Sequence, residues 1–584
     1  MRFLRTLTNA VLAGAVASAY LTVLVLQLNP AIPLTPGAVL PLAAMLGLAY
    51  GANLAVAFYA LVVLRQLLSA EVLSPGWLSV RLLSWLLAAA ATGAAVVTWL
   101  NVGGFEAVLD EETSRRLVTG AVALSAAAVL FVLLALAHLG RRGGRASAAL
   151  LIVLIGLSIA VPLGARGPAR TAGPVPVPVP RAVVEAARPD GRVTLLLLDG
   201  ASLDVIAPAA AAGQLPNFGR ILDAGAVVHL ATLRPTQPEP VWSAVATGRT
   251  PMANGVRSSG RYRPRPGGAP VDLLPDYCFA QALVRFGFLT EEAHTAASLT
   301  ARPLWRILGD MGVPSGTIGW PLTSPAPEVR GFLVSDMFHR LSDAELDLEG
   351  ENSVWPPDRL AEARRALATP VIPDPLAIAA LPVAAARAEE TRRDPEPLLA
   401  DRMHLQVLRA FEAQPDLRVI AARFPGVDAV GHYFLRYQNP TPFGDVSDAE
   451  RRQYGDVLER YYGFLDGIVG QALEGQGPDD LLLVVSGFGM EPLSPGKRLL
   501  EQLVGNPAIS GTHEPAPDGF LLAYGPAVAA ARPPRGSVLD VVPTVLYYLG
   551  LPVGRDMDGV ARTDLFRPAF TAAHPITFIP SYGR

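Results

Sequence analysis

Residues 193–200 read VTLLLLDG, an apolar run that ends in a carboxylate and a glycine. Its length and aliphatic density are typical of a strand buried on both faces, as in a parallel sheet. Similar runs follow: RVIAARF at 418–424, DLLLVVSG at 480–487 and GFLLAYG at 519–525. Segments with helical spacing lie between them, at 215–225, 361–369 and 447–473. The alternation predicts an α/β domain with a mostly parallel central sheet sandwiched by helices.

The chain before residue 165 is of a different kind. Of the 584 residues, 51% are hydrophobic and 17% are charged, and the apolar excess lies almost wholly in this part. A membrane-spanning helix needs about 20 predominantly apolar residues. Such stretches lie at roughly 7–28, 37–64, 83–102, 117–138 and 148–164. The sequence therefore predicts an α-helical transmembrane anchor of five spans over 1–165, and it excludes an entirely soluble protein.

Arginines in alternate loops predict the orientation of these spans. They are Arg2 and Arg5, then Arg65 and Arg81, then Arg141, Arg142 and Arg145. Because loops rich in basic residues stay in the cytoplasm, the N-terminus is expected to be cytoplasmic and the domain after the fifth span extracytoplasmic. Arginine replaces lysine nearly everywhere, which is typical of a GC-rich bacterial genome. We therefore expect a multi-pass protein of the bacterial cell (inner) membrane.

A Pro-rich linker is predicted at 166–190, where alternating Val and Pro favour an extended spacer. The α/β domain is expected over 191–568 and a C-terminal tail over 569–584.

Charge and cysteine content exclude two classes of function. The net charge is −3 and no long basic patch is present, so nucleic acid is not expected as a partner. The one cysteine, Cys278, excludes a disulfide framework and a cysteine-rich zinc site.

Candidate metal ligands follow three of the predicted strands. Asp199 lies at the tip of the first strand, and Asp428 and His432 are four residues apart, so a helix would place them on one face. His513 precedes the last strand. Carboxylate and imidazole ligands of this number suit Zn²⁺ with an open coordination position. Taken singly, each residue could instead be a helix cap or a structural histidine.

The order of several motifs resembles the type I phosphodiesterase/nucleotide pyrophosphatase branch of the alkaline phosphatase superfamily. They are LLLLDG at 195–200, LPNFGRILDAGA at 215–226, EPVWSAVATGRTPMANGV at 239–256, DAVGH at 428–432 and GTHEPAPDG at 511–519. The resemblance covers roughly 192–567. It implies an alkaline-phosphatase-like fold, a phosphate-ester substrate and a two-metal site. One ion would be held by Asp428, His432 and His513, and the other by Asp199, a nucleophilic Thr or Ser, and an Asp-His pair.

The sequence departs from that pattern at the positions that would hold the second metal ion. The family's Ser-Asp-His-Gly-Met is replaced by Ser-Gly-Phe-Gly-Met at 486–490, and the nucleophile position falls on Pro238. Thr236 is the nearest hydroxyl and Glu239 the nearest carboxylate, which makes them candidates for a displaced catalytic role. One divalent ion is favoured over two, and the ligand types predict zinc.

Several functions remain open at this point. The first is a phosphodiesterase in which one metal activates water, with Asp199 as the base or as a group that orients the water. In a variant of it, a shifted loop brings Thr236 or Glu239 into the cleft, and Asp199 with Glu239 helps to hold a second, weaker cation. A catalytically inactive homologue that binds a ligand or partner is the second function. The third follows from the architecture alone: a lipid-head-group phosphotransferase acting on lipid-linked phosphate at the bilayer.

Arg257 and Arg261 follow the 239–256 motif and are candidates for binding the substrate phosphate. A solvated basic loop is the alternative interpretation of these arginines.

Overall fold

A computed structural model describes residues 2–68, 75–138, 144–168, 191–265, 267–276, 280–340, 352–367, 369–379, 396–412, 414, 416–504, 507–513 and 517–583. The predicted linker beyond residue 168, Arg141, Arg142 and Cys278 lie outside these residues. The chain divides into two compact units, and the first consists of 1–173 with 260–293. The second consists of 174–259 with 294–584.

The first unit contains five helices long and apolar enough to cross a membrane, at the five predicted places. They are α1 (Arg2–Leu28), α2 (Pro36–Leu68), α3 (Val80–Gly104), α4 (Glu111–Ala137) and α5 (Arg145–Arg166). A π-helical turn, Gly47–Gly51, interrupts α2. A Cβ on Gly14 would lie 2.4 Å from the carbonyl oxygen of Gly51, so small residues let α1 and α2 approach closely.

Buried polar side chains join the end of α1 to other parts of this unit. The guanidinium of Arg166 donates to the carbonyl oxygens of Leu26 and Pro30, at 2.7 and 3.2 Å. It thereby satisfies carbonyl groups that a helix end leaves without partners. Asn29 donates to the Leu273 carbonyl oxygen at 2.7 Å and accepts from the amide of Asp272 at 3.0 Å. The segment 260–293 is thus fastened to the helical unit.

That segment contains an antiparallel pair of strands and a short helix. They are Gly260–Pro264, Leu289–Ala293 and Ala280–Arg285. No pattern in the sequence groups these residues with the long apolar helices. The predicted domain limits at 165, 190 and 568 stay predictions.

The second unit is built on a nine-stranded sheet. Its strands are β1 (Val193–Leu198), β2 (Ala226–Ala231), β3 (Ser315–Ile318), β4 (Gly331–Val334), β5 (Val354–Trp355), β6 (Val419–Phe424), β7 (Leu481–Phe488), β8 (Asp518–Tyr524) and β9 (Gly536–Ser537). The order across the sheet is β9-β2-β8-β7-β1-β6-β3-β4-β5. The five strands from β7 to β4 are parallel, whereas β8 and β5 run antiparallel to their neighbours. The predicted α/β class with a mostly parallel sheet is confirmed.

Helices pack around this sheet, and every residue of β7 is buried. The helices are Leu203–Ala211, Pro216–Ala224, Pro238–Thr247, Pro251–Asn254, Leu304–Asp310, Leu360–Leu367, Pro375–Ile378, Glu396–Phe411, Gly426–Gln438, Asp448–Tyr454, Val457–Glu474, Pro495–Val504, Val541–Tyr548 and Pro568–Ala573. The helical stretch predicted at 447–473 is two helices, which are separated at Gly455 and Asp456. Two-residue strands pair at 491–492 with 511–512 and at 553–554 with 578–579.

The topology directs several functional segments to one edge of the sheet. The parallel strands β1 and β6 end there, at Leu198 and Phe424, and the antiparallel strand β8 begins there. Ligands gather at the carboxyl ends of strands in sheets of this kind. This edge is therefore where the candidate side chains meet.

A buried carboxyl group fixes the turn between β6 and the helix Gly426–Gln438. Oδ1 of Asp401 accepts from the backbone amide of Gly426 at 2.9 Å, and Oδ2 accepts from the hydroxyl of Tyr461 at 2.8 Å. Burial raises the pKa of Asp401 to about 8, because desolvation outweighs these two hydrogen bonds. Asp401 is thus held largely uncharged near neutral pH.

We expect Asp401→Asn to remove a pH-dependent loss of stability. A carboxyl group whose pKa is raised in the folded state stabilises most below its unfolded value of about 4, and this contribution decreases as pH rises toward 8. The amide does not titrate, and it can keep contact with both partners, because its oxygen accepts from the Gly426 amide and its Nδ2 can donate to the Tyr461 hydroxyl oxygen. The Tm of thermal unfolding should therefore rise in the variant relative to the parent between pH 5 and pH 8. The difference should reach on the order of 5 °C. Asp223→Asn, at an exposed position, is the control, and parallel pH profiles for all three proteins would contradict the expectation.

Candidate active site

The helix Gly426–Gln438 carries two candidate ligands on one face. It begins directly after β6 at the carboxyl edge of the sheet. Asp428 lies in its first turn and His432 one turn later, so the two side chains point the same way. Oδ2 of Asp428 is 3.5 Å from Nε2 of His432. The spacing in the sequence therefore produces the predicted juxtaposition.

His513 joins this pair from a distant part of the chain. It follows the two-residue strand Gly511–Thr512, and its ring centroid lies 5.3 Å from that of His432. One ligand atom each from Asp428, His432 and His513 lie within 4.8 Å of one another. Among the described residues, this is the one cluster of three with such geometry.

Backbone carbonyl groups orient both imidazole rings. Nδ1 of His432 lies 2.8 Å from the carbonyl oxygen of Gly511, and Nδ1 of His513 lies 2.9 Å from that of Thr236. A carbonyl oxygen only accepts hydrogen bonds, so Nδ1 carries the proton and Nε2 carries the lone pair. This is the tautomer that a histidine needs to bind a metal through Nε2.

Asp428 has a buried oxygen without a hydrogen bond. Within the described part of the chain, its Oδ1 has no hydrogen-bond partner. Burial alone would raise the pKa of Asp428, but His432, His513 and Arg423 together lower it below the usual value. An ionised, incompletely satisfied carboxylate beside two oriented imidazoles fits a divalent cation.

Asp199 lies at the same edge but has a different partner. Nε of Arg423 donates to both of its carboxylate oxygens, at 3.0 and 3.1 Å, and Nη2 donates to Oδ2 at 2.5 Å. Arg423 was not a candidate in the sequence. Burial alone would lower its pKa, but Asp199 and the nearby Glu239 and Asp336 raise it, so the guanidinium stays charged.

Thr236 is buried and Glu239 is partly buried, close to the cluster. The hydroxyl of Thr236 donates to the carbonyl oxygen of Leu233 at 2.9 Å. Thr236 contacts His513 through its backbone carbonyl oxygen and not through its hydroxyl. Burial raises the pKa of Glu239, whose Oε2 has no hydrogen-bond partner among the described residues. Their catalytic roles stay predictions.

The two predicted phosphate-binding arginines lie in different units. Arg257 is a buried residue of the second unit, and its Nη1 lies 3.8 Å from the sulfur of Met252. Arg261 belongs to the first unit, where its Nε lies 3.3 Å from Oδ1 of Asp272. The structure therefore does not bring these two residues together in one compact unit.

Two further histidines in this region are kept neutral by burial. Burial lowers the pKa of His404 to about 4 and that of His339 to about 3. Nδ1 of His404 lies 2.6 Å from the carbonyl oxygen of Arg423, and the two rings pack edge to face. These residues support the end of β6.

A family model identifies the α/β domain. The model for type I phosphodiesterase / nucleotide pyrophosphatase matches residues 193–544, which is more than half of the chain. The chain belongs to this family. The phosphodiesterase family lies in the alkaline phosphatase superfamily, is metal-dependent and acts on phosphate-ester or nucleotide substrates.

Solved structures of two phosphodiesterases are similar to this chain at low identity. One is an inactive form of murine ectonucleotide pyrophosphatase/phosphodiesterase 5 in complex with AMP, with 12% identity and a TM-score of 0.38. The other is human ectonucleotide pyrophosphatase/phosphodiesterase 5, with 12% identity and a TM-score of 0.37. The similarities cover 65% and 64% of this chain and 100% of each of those chains. No curated protein matches the sequence.

We expect Gly200→Ala to weaken metal binding by this phosphodiesterase homologue. A Cβ at Gly200 would lie 2.6 Å from Oδ1 of Asp428, so that carboxylate must move. Displacing an oriented ligand typically costs 10–100-fold in metal affinity. The measurement is zinc affinity by competition with a fluorescent chelator.

Gly213→Ala is the matched control for backbone strain. Gly213 has a φ of +77°, close to the +67° of Gly200, but its Cβ would meet no atom within 4 Å. Equal zinc affinities for the two variants would show that contact with Asp428 does not matter.

Proposed function

We propose that the protein is a membrane-tethered hydrolase of phosphate esters that uses one divalent metal ion, held by Asp428, His432 and His513. The observation that carries this proposal is the cluster itself, in which ligand atoms of the three residues lie within 4.8 Å of one another. It is supported by the family's metal dependence and phosphate-ester substrates. Zinc is the proposed metal, because two imidazoles and one carboxylate with an open position suit it.

A metal ion bound there would supply Lewis-acid chemistry, polarising a phosphoryl oxygen and lowering the pKa of water. The protein's own part is to hold the ligands in place. The carbonyl groups of Gly511 and Thr236 fix the two imidazoles, and Asp428 contributes the negative charge. In the hydrolysis, the oxygen of water bonds to phosphorus and the ester P–O bond breaks. The leaving alkoxide gains one proton as the attacking water loses one.

Water is the proposed nucleophile in place of a side chain. The hydroxyl of Thr236 is already donated to Leu233 and the residue is only 1% exposed, which does not favour attack by Thr236. Direct attack by water also needs no covalent phospho-enzyme and no second metal ion to activate a serine or threonine.

The metal proposal is tested on the full-length protein in detergent. We expect one zinc per chain by elemental analysis, and hydrolysis of bis(p-nitrophenyl) phosphate. His513→Ala and Asp428→Asn should each lose at least tenfold in zinc affinity and on the order of 100-fold in turnover. His229→Ala, at an exposed position on β2, should change neither.

Other outcomes of that experiment would overturn part or all of the proposal. A parent protein that binds no zinc would exclude the metal-dependent mechanism. Zinc binding without turnover of soluble or lipid-linked phosphate esters would favour the inactive, ligand-binding homologue. Turnover restricted to transfer between lipids in vesicles would favour the phosphotransferase.

We also propose that the N-terminus is cytoplasmic and the hydrolase domain extracytoplasmic. The five apolar helices support a membrane anchor, and the arginines in alternate loops support this orientation. A protease added to spheroplasts should cleave the domain after residue 191 without prior lysis. Protection of that domain until lysis would contradict the orientation.

A further inference from the structure

The positions that would hold a second metal ion in this family do not fit one here. A Cβ on Gly487 would lie 2.5 Å from Cγ1 of Val241, so a carboxylate side chain at that position would require the Val241 side chain to move. The ring of Phe488 packs against the ring of His513, with centroids 5.1 Å apart. Apolar contacts therefore occupy two positions where the family pattern has ligands.

A positive charge is nevertheless fixed beside Asp199. Arg423 makes three hydrogen bonds to this carboxylate, through Nε and Nη2. Such a paired geometry is strong because both groups are charged and the guanidinium is planar. The carboxylate that would bind the second ion is thus already neutralised by a side chain.

The remaining nitrogen of Arg423 is available for another anion. Among the described residues, Nη1 is assigned no hydrogen-bond partner, and 16% of the side chain is exposed to solvent. Asp199, by contrast, is only 2% exposed. Of the two paired side chains, that of Arg423 is therefore the more exposed to solvent, and it can donate to an oxygen of a bound phosphate.

We propose that the guanidinium of Arg423 takes the place of the second metal ion, by neutralising Asp199 and donating through Nη1 to a non-bridging oxygen of the substrate phosphate. This inference rests on the proposed function, because it concerns the same phosphate site. It assigns Arg423 as a substrate-binding residue, and it predicts that phosphate binding does not depend wholly on metal.

The proposal is tested by inorganic phosphate binding to the full-length protein after removal of metal with a chelator. The two variants Arg423→Ala and Asp199→Asn both break the same ion pair, but they leave opposite charges. Arg423→Ala should weaken phosphate binding at least tenfold. Asp199→Asn should keep or strengthen it, because Arg423 loses its competing anion. Phosphate affinity is measured by calorimetry or ³¹P NMR titration.

The paired design separates recognition from loss of structure. A fold damaged by the broken ion pair would weaken binding in both variants, whereas the proposal requires opposite effects. Arg220→Ala removes a guanidinium that bonds to Tyr524 at a more exposed place, and it should leave phosphate affinity unchanged. Arg423→Lys should restore part of the affinity lost in the alanine variant, because it keeps the charge without the planar geometry.

Zinc content gives a second readout that does not depend on turnover. The proposal requires one zinc per chain in the parent. Two zinc ions per chain, or phosphate affinity equal in the parent and Arg423→Ala, would overturn it. The proposed function would fail through a different result. The parent would then bind no zinc and show no turnover, whatever effect the Arg423 variants have on phosphate affinity.

Discussion

The ion pair between Asp199 and Arg423 is the constraint around which the candidate site is arranged. The parallel register aligns Leu197 with Arg423, and Asp199 follows two residues later, directly after the end of β1. Burying two charges is costly unless each satisfies the other, and removal of either leaves an unpaired charge. The pair therefore holds the ends of β1 and β6 in a fixed relation, and the helix that carries Asp428 begins directly after β6.

The sequence predicted the local parts of this arrangement well. Long apolar runs identified the five long apolar helices, and short ones identified β1, β6, β7 and β8, because both signals depend on neighbouring residues only. Asp428 and His432 were found for the same reason, since helical spacing alone puts them on one face. His513 was found by its place in the order of motifs.

Arg423 was missed because its meaning depends on pairing across the sheet. In RVIAARF it is the second of two arginines in an apolar run, and its partner lies 224 positions away. A signal was present: an arginine near the end of a strand expected to be buried on both faces needs a counter-charge. Naming that counter-charge requires knowing that β1 and β6 are neighbours, which their sequences do not state.

The segment 260–293 was missed for a similar reason. Its attachment to α1 depends on Asn29, which bonds to residues 243 and 244 positions away. A single asparagine near the end of an apolar helix has many ordinary explanations. Neither composition nor periodicity distinguishes the residues that it holds from the surrounding α/β domain.

The total charge of the site gives a reason for the pKa shifts of its carboxyl groups. Two divalent ions would bring four positive charges, whereas one divalent ion and one guanidinium bring three. With less positive charge, fewer carboxylates can be kept ionised in a buried site. Burial raises the pKa of Asp199 despite its pairing with Arg423, and it also raises the pKa of Glu239, whose Oε2 has no partner among the described residues. Raised pKa values at these two carboxyl groups are the direction expected where a guanidinium takes the place of a divalent ion.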